Sequence, residues 1–269
     1  MTHPGIAGIV LAAGEGARLR PLTTLRPKAL CPVGGRPLVD LALDRLAPLT
    51  GSGPDRLAVN AHHRAEQIEA HLASGRAHVQ VERDEMLGTA GAVAGLRDWL
   101  DGRDVLLTNA DAYLPDGLTG FADGWDGERC RLLCRVLPPG VRADFVDADG
   151  TGLRYVGACL LPWSKVRDLV AVPTGLYEVL WRDDDAAGAL DLVRTAPGGT
   201  AIDCGTAADY LAANLHASGG ASVIGAGAEV LGRLERSVVW DGAWVGPDEV
   251  LVAQIRAGDR EHPVTVDAS

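Results

Sequence analysis

Apolar positions follow two rhythms along this chain. Short continuous runs at Gly5–Leu11 (GIAGIVL), Arg56–Asn60, Val79–Glu82 and Val105–Thr108 (VLLT) predict buried strands. Between them, apolar residues recur at helical spacing over Pro37–Leu46, Ala65–Ala73 and the alanine-rich Thr89–Leu100, which predict helices. Continuous rather than alternating strands, interleaved with amphipathic helices, point to an α/β fold: a mostly parallel sheet with helices on both faces.

The second half is less regular. Cys130–Val136 reads as a strand, and Phe145–Val146, Gly152–Tyr155 and Ala158–Leu161 as antiparallel pieces around an Asp149-Gly150 hairpin turn. Ala201–Asp203 closes a strand before the helix Ala207–His216, and Ser218–Gly220 reads as a linker. Beyond it, Ile224-Gly225, Val230 and Val245-Gly246 recur at near-multiples of six. Imperfect hexads predict a turn or two of left-handed parallel β-helix, the alternative being an irregular valine-rich β tail. The expected division is a main domain over 1–220 and a tail over 221–269, too short to stand without packing on the domain or on a second subunit.

Composition narrows this picture. With 269 residues, 47% of them hydrophobic, the chain can bury a real core. Its net charge of −11 excludes a general nucleic-acid or anionic-membrane binder. A small anionic substrate held by local arginines remains open. The five cysteines, Cys31, Cys130, Cys134, Cys159 and Cys204, are odd in number and form no C-x-x-C pair. They read as buried thiols in a reducing compartment rather than as zinc ligands or a disulfide framework. The N-terminus shows no charged-then-apolar leader, and no run nears the roughly 18 apolar residues of a membrane helix, so a cytoplasmic protein is expected. Lysine stands only at Lys28 and Lys165.

The first strand runs into LAAGEGARLRPLT, Leu11–Thr23. A glycine-rich turn at the carboxyl end of a strand can aim backbone N–H groups at phosphate, and the arginines add fixed positive charge. No Gly-Lys-Ser/Thr follows, which excludes a P-loop, and Leu19 stands where a dinucleotide-binding turn needs its third glycine.

Leu11–Leu38, LAAGEGARLRPLTTLRPKALCPVGGRPL, resembles the signature of the sugar-1-phosphate nucleotidyltransferases, the nucleotide-sugar pyrophosphorylases. Four further stretches resemble that family in order: Glu85–Ala92 (EMLGTAGA), Thr108–Asp111 (TNAD), Gly157–Pro162 (GACLLP) and Asp203–Asn214 (DCGTAADYLAAN). The resemblance implies a GT-A-like, Rossmann-related domain. It also implies attack by a sugar 1-phosphate on the α-phosphorus of a nucleoside triphosphate, releasing pyrophosphate. Leu11, Ala12, Ala13, Gly14 and Gly16 would wrap the nucleotide, and Arg18 would hold the leaving phosphates. Lys28 would neutralise charge at the α-phosphate. Asp111 and Asp203 would bind Mg²⁺, a hard cation suited to oxygen ligands. Gly88, Thr89 and Ala90 would read the base, with Asn109 near the nucleotide and Gly157 beside the sugar.

One stretch departs from the family. Asp144–Tyr155 (DFVDADGTGLRY) lacks the Glu-Lys-Pro that many members place before the sugar glycine, so either Arg142 or Arg154 supplies that charge or the acceptor is held differently. Branches acting on N-acetylmuramic acid 1-phosphate, and some mannose-1-phosphate guanylyltransferase-like proteins, look similar here. The LGTAGA stretch and the hexads put GTP with mannose 1-phosphate first. UTP with N-acetylmuramic acid 1-phosphate or a hexose 1-phosphate comes next, and a cytidylyltransferase of a small phosphorylated alcohol third. A non-catalytic nucleotide-sugar-binding regulator is the reading from another class. An incomplete β-helix and an open sheet edge make a homodimer conceivable. Asp40, Asp44 and Lys165 read as solvated surface, and His62 and His63 as loop residues.

Overall fold

A computed structural model describes residues 5–269. The expected absence of a leader was read in part on residues 1–4, which lie outside the described residues. At its centre the apolar run forms the strand Ala7–Leu11, flanked in parallel by Leu57–Ala61 and Val105–Asn109. His78–Val81 extends the sheet on one side. On the other, Gly152–Leu161 runs antiparallel between Val105–Asn109 and Arg131–Val136, and Asp191–Arg194 closes the order in parallel with the latter. Phe145–Val146 pairs with the start of Gly152–Leu161 as an eighth strand.

Alternate residues of these strands enter two cores. Val10, Val59, Leu106 and Leu160 face the helices Leu38–Thr50 and Ala65–His71. Ile9, Ala58, Leu107 and Cys159 face the helix Gly88–Gly95 and the segment around Trp181. Helices therefore cover both faces, as the continuous apolar strands require. Arg45 enters the buried face of Leu38–Thr50 beside Ala42 and Leu46. Burial pushes its guanidinium down to about 10, so it stays charged at neutral pH.

Several expected boundaries move. The two pieces Gly152–Tyr155 and Ala158–Leu161 are one strand with an irregularity between Tyr155 and Cys159. The helix over 89–100 divides at Leu96 into Gly88–Gly95 and Arg97–Leu100. Asp40 and Asp44 are not simply solvated: Asp40 pairs with Arg76 and His71, and Asp44 with Arg36 and Arg76. Lys165 donates to Asp184 at 2.6 Å. The His62 ring meets the Glu82 carbonyl at 2.7 Å, and the His63 ring meets the Thr23 carbonyl at 3.3 Å. All five cysteines are free and buried, and burial pushes the Cys31, Cys130 and Cys134 thiols up to about 12.

The tail winds as stacked short parallel strands on three faces. Val223 lies over Val238 and Val238 over Ile255 on one face, Glu229 over Trp244 on a second, Arg233 over Val250 on the third. The sequence hexads mark this β-helix-like coil imperfectly because its turns are unequal, with Val223 and Val238 stacked 15 residues apart and Val238 and Ile255 17 apart. The turns also pack closely: Gly225 has the Trp240-Asp241 backbone where a Cβ would stand. The antiparallel strand Val264–Asp267 pairs along Gln254–Ala257. The coil shares one core with the main domain, where Val238, Trp240 and Ile255 pack with Leu19, Leu22, Cys31, Leu38 and Tyr210. Arg26 adds a bidentate pair to Asp241, at 2.9 and 3.1 Å, and lies over the Trp240 ring.

Candidate functional site

After the first strand the chain extends the sheet to one side, through Leu57–Ala61 and His78–Val81, then crosses to Val105–Asn109 on the other. The crevice between the carboxyl ends of Ala7–Leu11 and Val105–Asn109 is thus a topological switch point, where open α/β sheets place their ligands. Ala110 N–H donates to the Leu11 carbonyl at 2.9 Å, and the chain then leaves the sheet. Ala112-Tyr113 pairs antiparallel with Ile202-Asp203, setting Asp203 opposite Ala112. The Cys204 N–H donates to the Asp111 carbonyl at 2.9 Å. Two aspartates distant in sequence are fixed side by side by this small ribbon.

Between them stands Lys28, 9% exposed, at the start of the short 3-10 turn Lys28–Leu30. Its ammonium contacts Asp111 Oδ2 and lies 3.6 Å from Asp203 Oδ1. Arg18 approaches from the rim, Nη2 at 3.7 Å from Asp203 Oδ2, with its side chain largely exposed. Arg18, Lys28, Asp111 and Asp203 thus form one connected cluster. Arg20 turns instead to Glu15, at 3.6 Å.

Three hollows meet at Asp111. A cavity of about 260 Å³ is lined by Leu11, Ala13, Gly14, Asn60, Met86, Gly88, Thr89, Asn109 and Asp111. A cleft of about 100 Å³ on the far side of Asn109 and Asp111 is lined by Tyr155, Val156, Gly157, Ala201, Ile202 and Asp203. A small recess between them brings in Ala12 and Lys28. At Gly157, φ is +85°, and a Cβ would come within 2.9 Å of Ala112 Cβ and 3.2 Å of Asn109 Nδ2. Only glycine lets this strand press so closely on the Asn109–Ala112 turn.

Some expected contacts are used inside the chain. The Ala12 N–H donates to Asn60 Oδ1 at 2.7 Å rather than pointing into the crevice. Gly16, at φ +63°, lines none of these hollows; its carbonyl accepts from Thr23 Oγ1 at 3.0 Å, so it shapes the turn. The Ala90 N–H donates to the Thr174 carbonyl, and the Thr89 hydroxyl accepts from the Leu176 N–H at 2.8 Å. A Cβ on Gly88 would stand 2.5 Å from the Thr174 carbonyl oxygen. The segment 172–176 therefore packs directly over the Gly88 loop. Arg154 donates to the Arg142 carbonyl at 2.7 Å, and neither arginine lines the cleft beside Gly157.

Asn60 and Glu82 were not singled out in the sequence. Both are buried, 3% and 5% exposed. Asn60 Nδ2 donates to Glu82 Oε1 at 2.7 Å, and Glu82 Oε2 accepts the Leu87 N–H at 2.8 Å. This relay ties the glycine-rich turn to the Gly88 loop. The available signal was a polar residue closing each of two apolar strands, at their ligand ends. Asn60→Ala strands the Ala12 N–H and one Glu82 oxygen, a loss of about 1–3 kcal/mol. Thermal unfolding is expected to show lower stability, and steady-state kinetics about a tenfold higher nucleotide KM, with kcat less affected.

Among the described residues no three His, Cys, Asp or Glu side chains cluster to hold a metal alone. The donor set nonetheless suits a hard divalent cation. Two carboxylates converge on one positive centre, the Lys28 ammonium. A triphosphate and water would complete such a cation's oxygen shell.

Comparison with known proteins agrees with this geometry. Residues 7–126 match the nucleotidyl transferase family. The N-acetylmuramate alpha-1-phosphate uridylyltransferase of Caulobacter vibrioides is 36% identical over 145 residues, covering 50% of this chain and 58% of that protein. The bifunctional protein GlmU of Bifidobacterium adolescentis is 35% identical over 164 residues, 56% of this chain and 34% of that protein. The chain thus spans between a third and three fifths of the length of these relatives. A Thermus thermophilus structure described as a mannose-1-phosphate geranyltransferase superposes with a TM-score of 0.68 at 18% identity, covering 98% of this chain and 95% of that one. A putative glucose-1-phosphate thymidylyltransferase from Bacillus anthracis gives 0.65 at 18% identity, covering 79% and 95%. These last two establish the fold. Among the described residues no helix is long and apolar enough to cross a membrane.

Proposed function

We propose that this chain, whose residues 7–126 match the nucleotidyl transferase family, transfers a nucleotidyl group from a nucleoside triphosphate to a sugar 1-phosphate, releasing pyrophosphate. The observation that carries the reading is the Lys28 ammonium set between Asp111 and Asp203, at the mouth of a glycine-rich turn. The larger cavity takes the nucleotide and the cleft beside Gly157 takes the acceptor, so the two substrates meet at Asp111.

The acceptor's phosphate oxygen attacks the α-phosphorus as the bond to the β-phosphate oxygen breaks. The protein's part is positioning and charge stabilisation. Lys28, compact and held away from bulk water, neutralises charge building at the α-phosphate. Arg18 takes the departing β- and γ-phosphates with its planar fork. Asp111 and Asp203 would hold the divalent cation, which supplies Lewis-acid stabilisation of phosphate oxygens when bound. Gly157 lines the cleft that takes the sugar.

For the substrate pair, the 36% identical relative named as an N-acetylmuramate α-1-phosphate uridylyltransferase favours UTP with that acceptor. GTP with mannose 1-phosphate, placed first from the sequence, gains nothing from the neighbour with mannose 1-phosphate in its name, since at 18% identity that likeness shows the fold alone. The test is pyrophosphate release with Mg²⁺, crossing four nucleoside triphosphates with a panel of sugar 1-phosphates and phosphocholine. One dominant pair with a sugar 1-phosphate is expected. Turnover of phosphocholine alone moves the protein to alcohol-phosphate chemistry. Silence across the panel, with nucleotide still raising Tm, favours a regulator.

A further inference from the structure

We propose that Arg45 is a positioning residue for this transfer, a buried guanidinium that sets Asp111 and Gly157 relative to each other. The inference rests on the function proposed above. Arg45 is 8% exposed and sits where its helix otherwise presents Ala42 and Leu46 to the core. A charge at such a position costs desolvation and persists only with fixed partners. Among the described residues Arg45 forms no ion pair; its partners are neutral oxygens.

Those partners explain its place. Nη1 donates to the Ala112 carbonyl at 2.8 Å, and Nη2 to the Asn109 carbonyl at 3.2 Å and to Thr108 Oγ1 at 2.8 Å. The two carbonyls bracket Asp111, on the turn where the chain leaves the sheet. Thr108, fully buried, passes the contact on: its hydroxyl donates to the Gly157 carbonyl at 2.9 Å. One planar group thereby grips the turn bearing Asp111 and, through one hydroxyl, the strand irregularity beside the acceptor cleft. The fork supplies separate donors to separate carbonyls, which a lysine ammonium on a flexible stem does not reproduce. A methionine would fill the volume and leave the turn's carbonyls unpaired.

The experiment uses the full chain as wild type, R45K, R45M and T108V. It measures melting temperature, Mn²⁺ affinity by calorimetry, and kcat with both KM values on the active substrate pair. Residues that orient metal ligands from behind typically change affinity or activity by 10–100-fold. R45M is expected to lose about tenfold in Mn²⁺ affinity and about 100-fold in kcat, with R45K recovering part of each. T108V, which keeps the charge, is expected to raise acceptor KM about tenfold and leave Mn²⁺ affinity within about twofold. A folded R45M with Mn²⁺ affinity and kcat within twofold of wild type overturns the proposal. If R45M does not fold, T108V decides: unchanged acceptor KM overturns it. Hydrogen exchange over 108–112 needs no substrate, so it judges Arg45 even if wild type proves inactive on every pair. Faster exchange there in R45K supports the role, and unchanged exchange rejects it.

Discussion

Asp111→Asn is expected to abolish turnover and leave the fold standing. Its carboxylate is the point at which all three hollows meet and the group the Lys28 ammonium touches. The amide keeps the shape and one oxygen but removes the charge that would hold a divalent cation against a triphosphate. The position of the turn does not depend on that side chain. Main-chain bonds from Ala110 to Leu11 and from Cys204 to Asp111 fix it, with Arg45 behind. The lost charge leaves Lys28 with Asp203 at 3.6 Å as its remaining acidic neighbour. We expect kcat to fall by at least about 10³, about 4 kcal/mol of transition-state stabilisation, with Mn²⁺ affinity falling in parallel. Melting temperature should move by no more than a few degrees. Near-normal turnover in a folded Asp111→Asn protein would falsify the carboxylate's assignment to the cation.

Lys28→Ala is expected to lower kcat by about 10²–10³ with a much smaller change in either KM, the pattern of a group acting chiefly in the transition state. The opposite sign should appear at the metal. Lys28 now occupies the space between Asp111 and Asp203, so removing it leaves two carboxylates with no cation between them. Mn²⁺ affinity should therefore hold or rise while kcat collapses. Asp111→Asn moves both down together. The pair of variants thus separates the two roles by direction as well as by size. A Lys28→Ala protein whose change is confined to KM places the lysine in ground-state binding instead. Lys28→Arg should recover little, since a planar fork does not fit a recess shaped around one ammonium.

Much of this architecture was legible from residue order. The strands over 7–11 and 105–109 announced themselves as continuous apolar runs, because both faces of that sheet are covered. Arg18, Lys28, Asp111 and Asp203 were named from motif resemblance, and the fold brings all four into contact. Less legible was anything set by contacts across the chain. Asn60 and Glu82 look like ordinary polar residues ending two strands, and their meaning lies in bonds to Ala12 and Leu87. Arg45 sits in a helical stretch where an arginine reads as solvated. Its burial follows from three oxygens on the turn after Thr108, far away in sequence. The segment 172–176 carries no periodicity, yet it covers the Gly88 loop. A glycine-rich string does not say that the Ala12 N–H is already taken by Asn60, or that Gly16 shapes the turn through its carbonyl.

The shared core under the tail bears on how this protein can be divided or recombined. Arg26 lies two residues before Lys28, and its guanidinium is clasped by Asp241 and Trp240 of the coil. The Tyr210 hydroxyl donates to the Pro32 carbonyl just beyond that loop and accepts from Trp240. The coil is therefore a buttress for the loop that carries Lys28, and cutting the chain ahead of it would remove that support. A chimera that grafts another tail here would have to bring its own match for Arg26, or the lysine's alignment would go with the discarded coil.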